Sequence, residues 1–283
     1  MTKKAVIIFF IILFLAAFLR LYRITEIPPG INRDEGSIGY TAYSLLKTGK
    51  DEYGRVFPVS FESFGDWKLP FYIYTVVPFV WLFGLSELAV RLPSALFGIA
   101  TVGLTYFLVL ELFRKWEVRD EKLDNDVRNG KRNLTSNFEN QASYISLLTS
   151  LLIAISPWHL HLSRVESESN TAVFFVVLGA LLFLKSIKKT SWLIIPSLFC
   201  FALTYFIYAG NYIFTTLLII GIFLIYRKTI PKNKYLFIAI AAFLISSGFI
   251  WFNTFFGNQT KVSGIGIFGD PSVVHAKIEI PRN

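Results

Sequence analysis

The chain is poor in the residues on which much soluble chemistry depends. It holds one cysteine, three histidines and only 17% charged residues in 283. The single cysteine, Cys200 inside an apolar run, excludes an internal disulfide. No His/Cys cluster has the spacing of a metal site, no glycine-rich loop is placed to cradle a phosphate, and no internal repeat is visible. What fills the chain instead is 54% hydrophobic residues, with aromatic residues making up 17% of the chain and a mean hydropathy of +0.53. That apolar share exceeds, and the charged share falls below, what soluble domains carry, so repeated membrane crossing is expected.

Apolar segments fall at 5–22, 69–86, 89–113, 143–162, 171–184, 191–209, 212–226 and 235–256. The first, led by Lys3 and Lys4, resembles a signal peptide, but no small-x-small cleavage site follows and Arg20-Leu21-Tyr22-Arg23 runs straight out of it. An uncleaved anchor helix is the better reading. Charge decides which segments cross. If 69–86 lies along the outer surface, 16 of the 28 Lys/Arg and 7 of the 19 acids face the cytoplasm, which places the whole +9 there. If 69–86 crosses, only 7 Lys/Arg remain inside. Seven spans and a cytoplasmic N-terminus follow, and because topology accounts for the positive charge, no nucleic-acid partner is expected. The expected fold is an all-α polytopic membrane protein with an external loop at 23–88 and a mixed-charge, mobile cytoplasmic linker at 114–142. Segment 36–48, ended by Gly49, and the aromatic-rich 69–86 read as surface helices in the first external loop. The sequons at Asn133 and Asn258 are weak signals.

The unusual polar residues converge on the external face: Asp34 and Glu35, Lys68, Arg91, Arg164 and Glu168, and Asn211 close to Tyr205 and Tyr208. Carboxylates at the edge of an apolar scaffold are costly unless something uses them. Transfer of a group from a lipid phosphate would use them: a carboxylate takes the proton of an acceptor hydroxyl, and cations receive the charge of the leaving phosphate. Lys68 suits a phosphate as a point charge, Arg91 or Arg164 as a fork. Each residue also has a plainer reading. Asp34 and Glu35 suit a helix N-terminus, and the arginines suit interfacial snorkelling. His159 and His161 suit the solvated rim, Glu166 suits a solvated or pairing acid, and the tyrosines suit an aromatic belt. Two adjacent acids could hold a divalent cation, although nothing else forms a ligand set.

The order Asp34-Glu35, Lys68-Leu-Pro70, Phe83-Gly84-Leu-Ser86-Glu87-Leu-Ala89-Val-Arg91-Leu-Pro93-Ser-Ala95, Ser156-Pro-Trp-His159 and Ser163-Arg164 resembles the GT-C glycosyltransferases. Within them it is most similar to the branch of the protein O-mannosyltransferases and lipid A aminoarabinose transferases. The resemblance implies a seven-span module with two juxtamembrane helices in the first external loop, a polyprenyl-phosphate sugar donor and inversion at the sugar carbon. It implies Asp34 as general base, Glu35 as its acidic companion and Lys68 on the donor phosphate, with Arg91, Arg164 and Glu168 matching conserved positions. Lys68-Leu69-Pro70 departs from the Lys-Pro-Pro or His-Pro-Pro of relatives, and Asn211 stands where an Arg is common. The module is expected to span 1–256, followed by an external segment 257–283 that reads as the start of a longer chain. The acceptor could be protein, lipid or glycan. A non-catalytic membrane protein that binds a lipid-linked sugar, or partners another transferase, is the alternative.

Overall fold

The computed structural model describes residues 2–63, 66–121, 131–187, 190–230 and 233–256. The segment 257–283 and the sequon at Asn258 lie outside the described residues, as does the side chain of Asn133. Among the described residues the fold is mostly helical: ten α-helices and one small β-hairpin.

Helix α1 (Lys3–Leu21) starts where the Thr2 hydroxyl accepts the amide of Ala5 at 3.3 Å. Its buried stripe, Ala5, Phe9, Ile12, Ala16 and Arg20, recurs every three or four residues, as one face of a helix must. The opposite face is also apolar: Ile7, Phe10, Ile11 and Phe14 are all at least 60% exposed. A helix apolar all round is suited to hydrocarbon rather than water. The same holds for α4 (Glu87–Glu121) over Glu87–Phe113 and for α7 (Glu168–Ser186), so among the described residues three helices are long and apolar enough to cross a membrane. A fourth span is made if α5 (Lys131–Ile155) and α6 (Pro157–Arg164) count as one, bent by 55° at Ser156. Pro157, at the first position of α6, has no amide to continue the ladder, which explains the break.

Helices α8 (Ile194–Ile207, entered through one 3₁₀ turn at Ser191–Leu193), α9 (Asn211–Tyr226) and α10 (Lys234–Phe256) complete the bundle. The apolar stretch of each is shorter than a full crossing, within 10–17 residues. The expected linker at 114–142 differs from the sequence reading: its backbone is helical at 114–121 and 131–142, as continuations of α4 and α5. Mixed Lys, Arg and Glu are good helix formers, so polarity alone did not mark a loop there.

Between α1 and α4 the chain folds a separate layer across one end of the bundle. Helix α2 (Arg33–Thr48) begins three residues earlier than periodicity implied, and ends at Gly49, whose φ of 68° closes the helix in the left-handed region. A two-stranded hairpin, β1 (Phe61–Ser63) and β2 (Asp66–Lys68), is a β element the all-α expectation did not include. Phe61 of β1 stacks edge-on with Tyr74 of the next helix, and the Ser63 hydroxyl lies 2.6 Å from that of Ser37 on α2. Helix α3 (Pro70–Phe83) has 14 residues, about 21 Å at 1.5 Å each, short of a full crossing as the apolar stretches of α8, α9 and α10 are. It packs Tyr72, Ile73, Val76 and Val80 against α2 and the start of α4, and the Tyr72 hydroxyl donates to the Val90 carbonyl at 2.8 Å. Gly39 allows α2 to lie on α4: a Cβ there would meet Val90 at 2.9 Å.

Candidate functional site: a carboxylate–lysine cluster at one end of the bundle

The site starts with the first turn of α2. Asn32 and Glu35 form a capping box: the Glu35 amide donates to Asn32 Oδ1 at 2.8 Å, and the Asn32 amide donates to Glu35 Oε2 at 3.0 Å. This fixes the orientation of α2 and separates its two acids. Asp34 points out, with a side chain 64% exposed, while Glu35 is 2% exposed.

Glu35 meets Arg91 of α4 in a bidentate pair, Nε to Oε1 at 2.7 Å and Nη2 to Oε2 at 3.0 Å. The remaining donors of Arg91 go to backbone carbonyls of the segment after α1: Nη1 to Ile24 at 2.9 Å and to Pro28 at 3.0 Å, and Nη2 to Gly30. All five N–H groups of the guanidinium are thereby engaged. Burial works to raise the Glu35 carboxyl, but the hydrogen bonds from Arg91, Asn32 and the Glu166 amide outweigh it and hold Glu35 below the usual carboxylate range. Arg164, at the end of α6, does the same work from the other side. It donates to the carbonyls of Leu19, Tyr22 and Ile27, the last two at 2.7 and 2.9 Å. The sequence reading put Arg91 and Arg164 on a donor phosphate and Glu35 beside the base. In this structure their polar atoms are directed to the chain itself, and they clamp the 19–30 segment under α2.

Asp34 has a different partner. Lys68 Nζ lies 2.7 Å from Asp34 Oδ1, and the lysine is 5% exposed, so a buried stem carries its ammonium to the surface carboxylate. Strand β2 sets this reach, since Lys68 stands opposite Phe61 in the hairpin register. Leu69, the next residue, joins a small buried cluster with Tyr205 of α8 and Tyr212 of α9. That contact brings the α8–α9 corner, with Tyr208 and Asn211, to the same end of the bundle. Tyr208 is 39% exposed and its ring lies over Gly210, where a Cβ would be 2.5 Å away. Asn211 is buried, and its Nδ2 has no hydrogen-bond partner. Glu168 opens α7 just after the Ser167 cap.

Several members of this end had only a plain reading from the sequence, or none. Asn170 of α7 donates to the Ser94 carbonyl at 2.8 Å and accepts from the Ser163 hydroxyl at 3.2 Å, joining α4, α6 and α7. Arg20 is fully buried and caps the end of α5 through the Ala154 carbonyl at 3.1 Å, while donating to His159 Nδ1 at 2.7 Å. His159 is thus a partner of Arg20 rather than a solvated rim residue. Glu166, in the α6–α7 connector, is pushed up to about 8, by burial first, then by the charge of Glu168 and by Asp34 and Glu35, with Lys68 opposing. Of Asn170, Arg20, His159 and Glu166, only His159 sits in a motif that carries the resemblance, Ser156-Pro-Trp-His159. Among the described residues no group of three or more His, Cys, Asp or Glu is arranged to hold a metal ion.

The arrangement offers an open carboxylate paired with an ammonium, set on a floor made of the buried Glu35–Arg91 pair and the Arg164 bonds to backbone carbonyls. Chemically, that can accept a proton from an alcohol and hold an anion. Set against known proteins, the chain matches no family model and no curated protein.

Proposed function

We propose that the chain is a membrane glycosyltransferase that moves a sugar from a polyprenyl-phosphate donor to an acceptor hydroxyl, with Asp34 as general base. The observation that carries this reading is the contrast within Asp34-Glu35: one acid is locked in a buried pair, and the other is open and held by Lys68 at 2.7 Å. An acid needed only to start α2 would not require a buried lysine directed at it. In the reaction, Asp34 removes the acceptor hydroxyl proton, the alkoxide oxygen attacks the sugar C1, and the C1–O bond to phosphate breaks with inversion. The leaving phosphodiester becomes a phosphate monoester and gains negative charge beside the Lys68 ammonium. Arg91, Arg164 and Glu35 act by holding the floor. Glu168, Tyr208 and Asn211 line the same end as substrate contacts.

The membrane arrangement that suits this reading has seven spans: α1, α4, α5 with α6, α7, α8, α9 and α10. The three short ones are completed by local thinning of the bilayer. Helices α2 and α3 then lie in the external headgroup layer of the plasma membrane, where Trp81 of α3, 70% exposed, is at home. The module is the GT-C type that the sequence resembles. A second reading is supported by the engaged donors of Arg91 and Arg164: the protein binds a lipid-linked sugar without cleaving it. Full-length protein in proteoliposomes with a radiolabelled polyprenyl-phosphate sugar separates the two. The transferase reading expects label on the acceptor and free polyprenyl phosphate. Saturable binding with all label still on the donor would overturn it in favour of the second.

A further inference from the structure

The hairpin carries Lys68 to the site, and its two faces are held by different parts of the chain. Side chains alternate along a strand. Phe61, Ser63 and Lys68 therefore share the face turned to α2 and α3, while Glu62 and Trp67, opposite one another in the register, share the other. Arg55, from the loop before β1, covers that outer face: it pairs with Glu62 at 2.6 Å and lies 4.9 Å over the Trp67 ring. The inner face reaches α2 at two points one helical turn apart. Lys68 Nζ meets Asp34 Oδ1 at 2.7 Å, and the Ser63 hydroxyl meets that of Ser37 at 2.6 Å. Both serines are buried, so water does not compete for their bond.

A lysine is a point charge on a flexible stem and does not set its own direction. The charge of Lys68 also reaches Glu52 and Glu166. Its pairing with Asp34 therefore depends on where the strand places the stem. We propose that Ser37 and Ser63 are positioning residues: their hydrogen bond seats the hairpin on α2 and so holds the Lys68 ammonium on Asp34 rather than on another acid. The inference rests on the transferase reading and adds the contact that sets its geometry. Buried as they are, the hydroxyls act through Lys68 and Asp34. A slip of about 1 Å between the hairpin and α2 would lengthen the ion pair and misplace both groups, and misplacement of that size costs up to about 10²-fold in rate.

The test measures sugar transfer by the full chain in proteoliposomes. Ser63→Ala should lower kcat by up to about 10²-fold with KM for the donor nearly unchanged. A second chain carries Ser37→Cys with Ser63→Cys in a Cys200→Ser background, so that one folded protein is compared in two redox states. Hydroxyls 2.6 Å apart leave side chains that a disulfide of about 2.05 Å joins when copper phenanthroline closes it. The reduced form should be as slow as Ser63→Ala, and the bridged form should regain the wild-type kcat. Wild-type kcat in Ser63→Ala overturns the positioning role and leaves the transferase reading standing. So does a bridged form slower than the reduced one, since the hairpin would then have to move. Lys68 is also read directly, by its acylation with acetic anhydride relative to the exposed Lys50. Acylation should be several-fold faster in Ser63→Ala and the reduced form than in the wild type and the bridged form. Equal acylation in all four overturns the positioning role without any turnover. No transfer by the wild type overturns the transferase reading itself, and acylation still decides whether the serines hold Lys68.

Discussion

Asp34 and Glu35 are neighbours with opposite environments, and each makes a different experiment informative. Removing Arg91 leaves Glu35 as a buried carboxylate with no cation and frees the 24–30 segment. Arg91→Ala should therefore cost about 3–5 kcal/mol, as breaking a buried pair does. Arg91→Lys should recover only part of it, because one ammonium cannot reproduce five planar donors. Thermal unfolding in detergent checks both, and a near-wild-type midpoint for Arg91→Ala would show that the clamp is not structural. The pH dependence has a definite sign. Glu35 is held below its ordinary value, so its stabilisation is complete above that value and fades as pH falls through the lowered one. The unfolding midpoint of the wild type should drop as pH falls below 4.5, and that of Glu35→Gln should start lower and drop less. Sequence alone marked both acids and Lys68 as a group. The resemblance gave the two acids different roles, but not the burial of Glu35, because its partner Arg91 lies 56 positions away, on another helix.

At the level of helices and turns, the local signals were clear where they were local. The Gly49 end of α2 was readable, and so was its start, in the Asn32-x-x-Glu35 spacing, once Glu35 is taken as a cap rather than as a catalytic acid. The hairpin at 61–68 was not readable, since three-residue strands leave no periodicity. Close helix contacts depended on glycines whose neighbours are distant in sequence. Gly98 faces Ser163 of α6, whose Oγ and Cβ would lie 2.3 and 2.7 Å from an added Cβ, while Gly221 on α9 has nothing within 4 Å. Gly98→Ala should push α6 from α4 and destabilise by about 1–3 kcal/mol, as overpacking does. Gly221→Ala should be neutral or slightly stabilising, from helix propensity. Equal unfolding midpoints for the two variants would contradict the packing described for α4 and α6.

For the whole molecule, hydropathy located nearly every long helix, because lipid-facing and buried faces are both apolar. It could not see the bend at Ser156, nor that α4 and α5 continue into the polar 114–142 stretch, because a helix of Lys, Arg and Glu has no hydropathy signal. The seven-span arrangement predicts accessibility from outside in a Cys200→Ser background. Val59→Cys, on the exposed loop before β1, should react with an impermeant maleimide in intact cells, and Gln141→Cys, exposed on α5, should react only after permeabilisation. Labelling of both from outside would contradict the seven-span arrangement.

The gathering of Asp34, Lys68, Glu168 and the α8–α9 corner at one end is the feature that a sugar transferase would require of this fold. The decisive measurement is sugar transfer from polyprenyl-phosphate donors by wild-type protein beside Asp34→Asn, with matched folded amounts of each. Loss of a general base predicts a fall of about 10²–10⁴-fold in turnover with donor binding retained. Transfer at the wild-type rate by Asp34→Asn would contradict the assignment of Asp34 and the mechanism built on it.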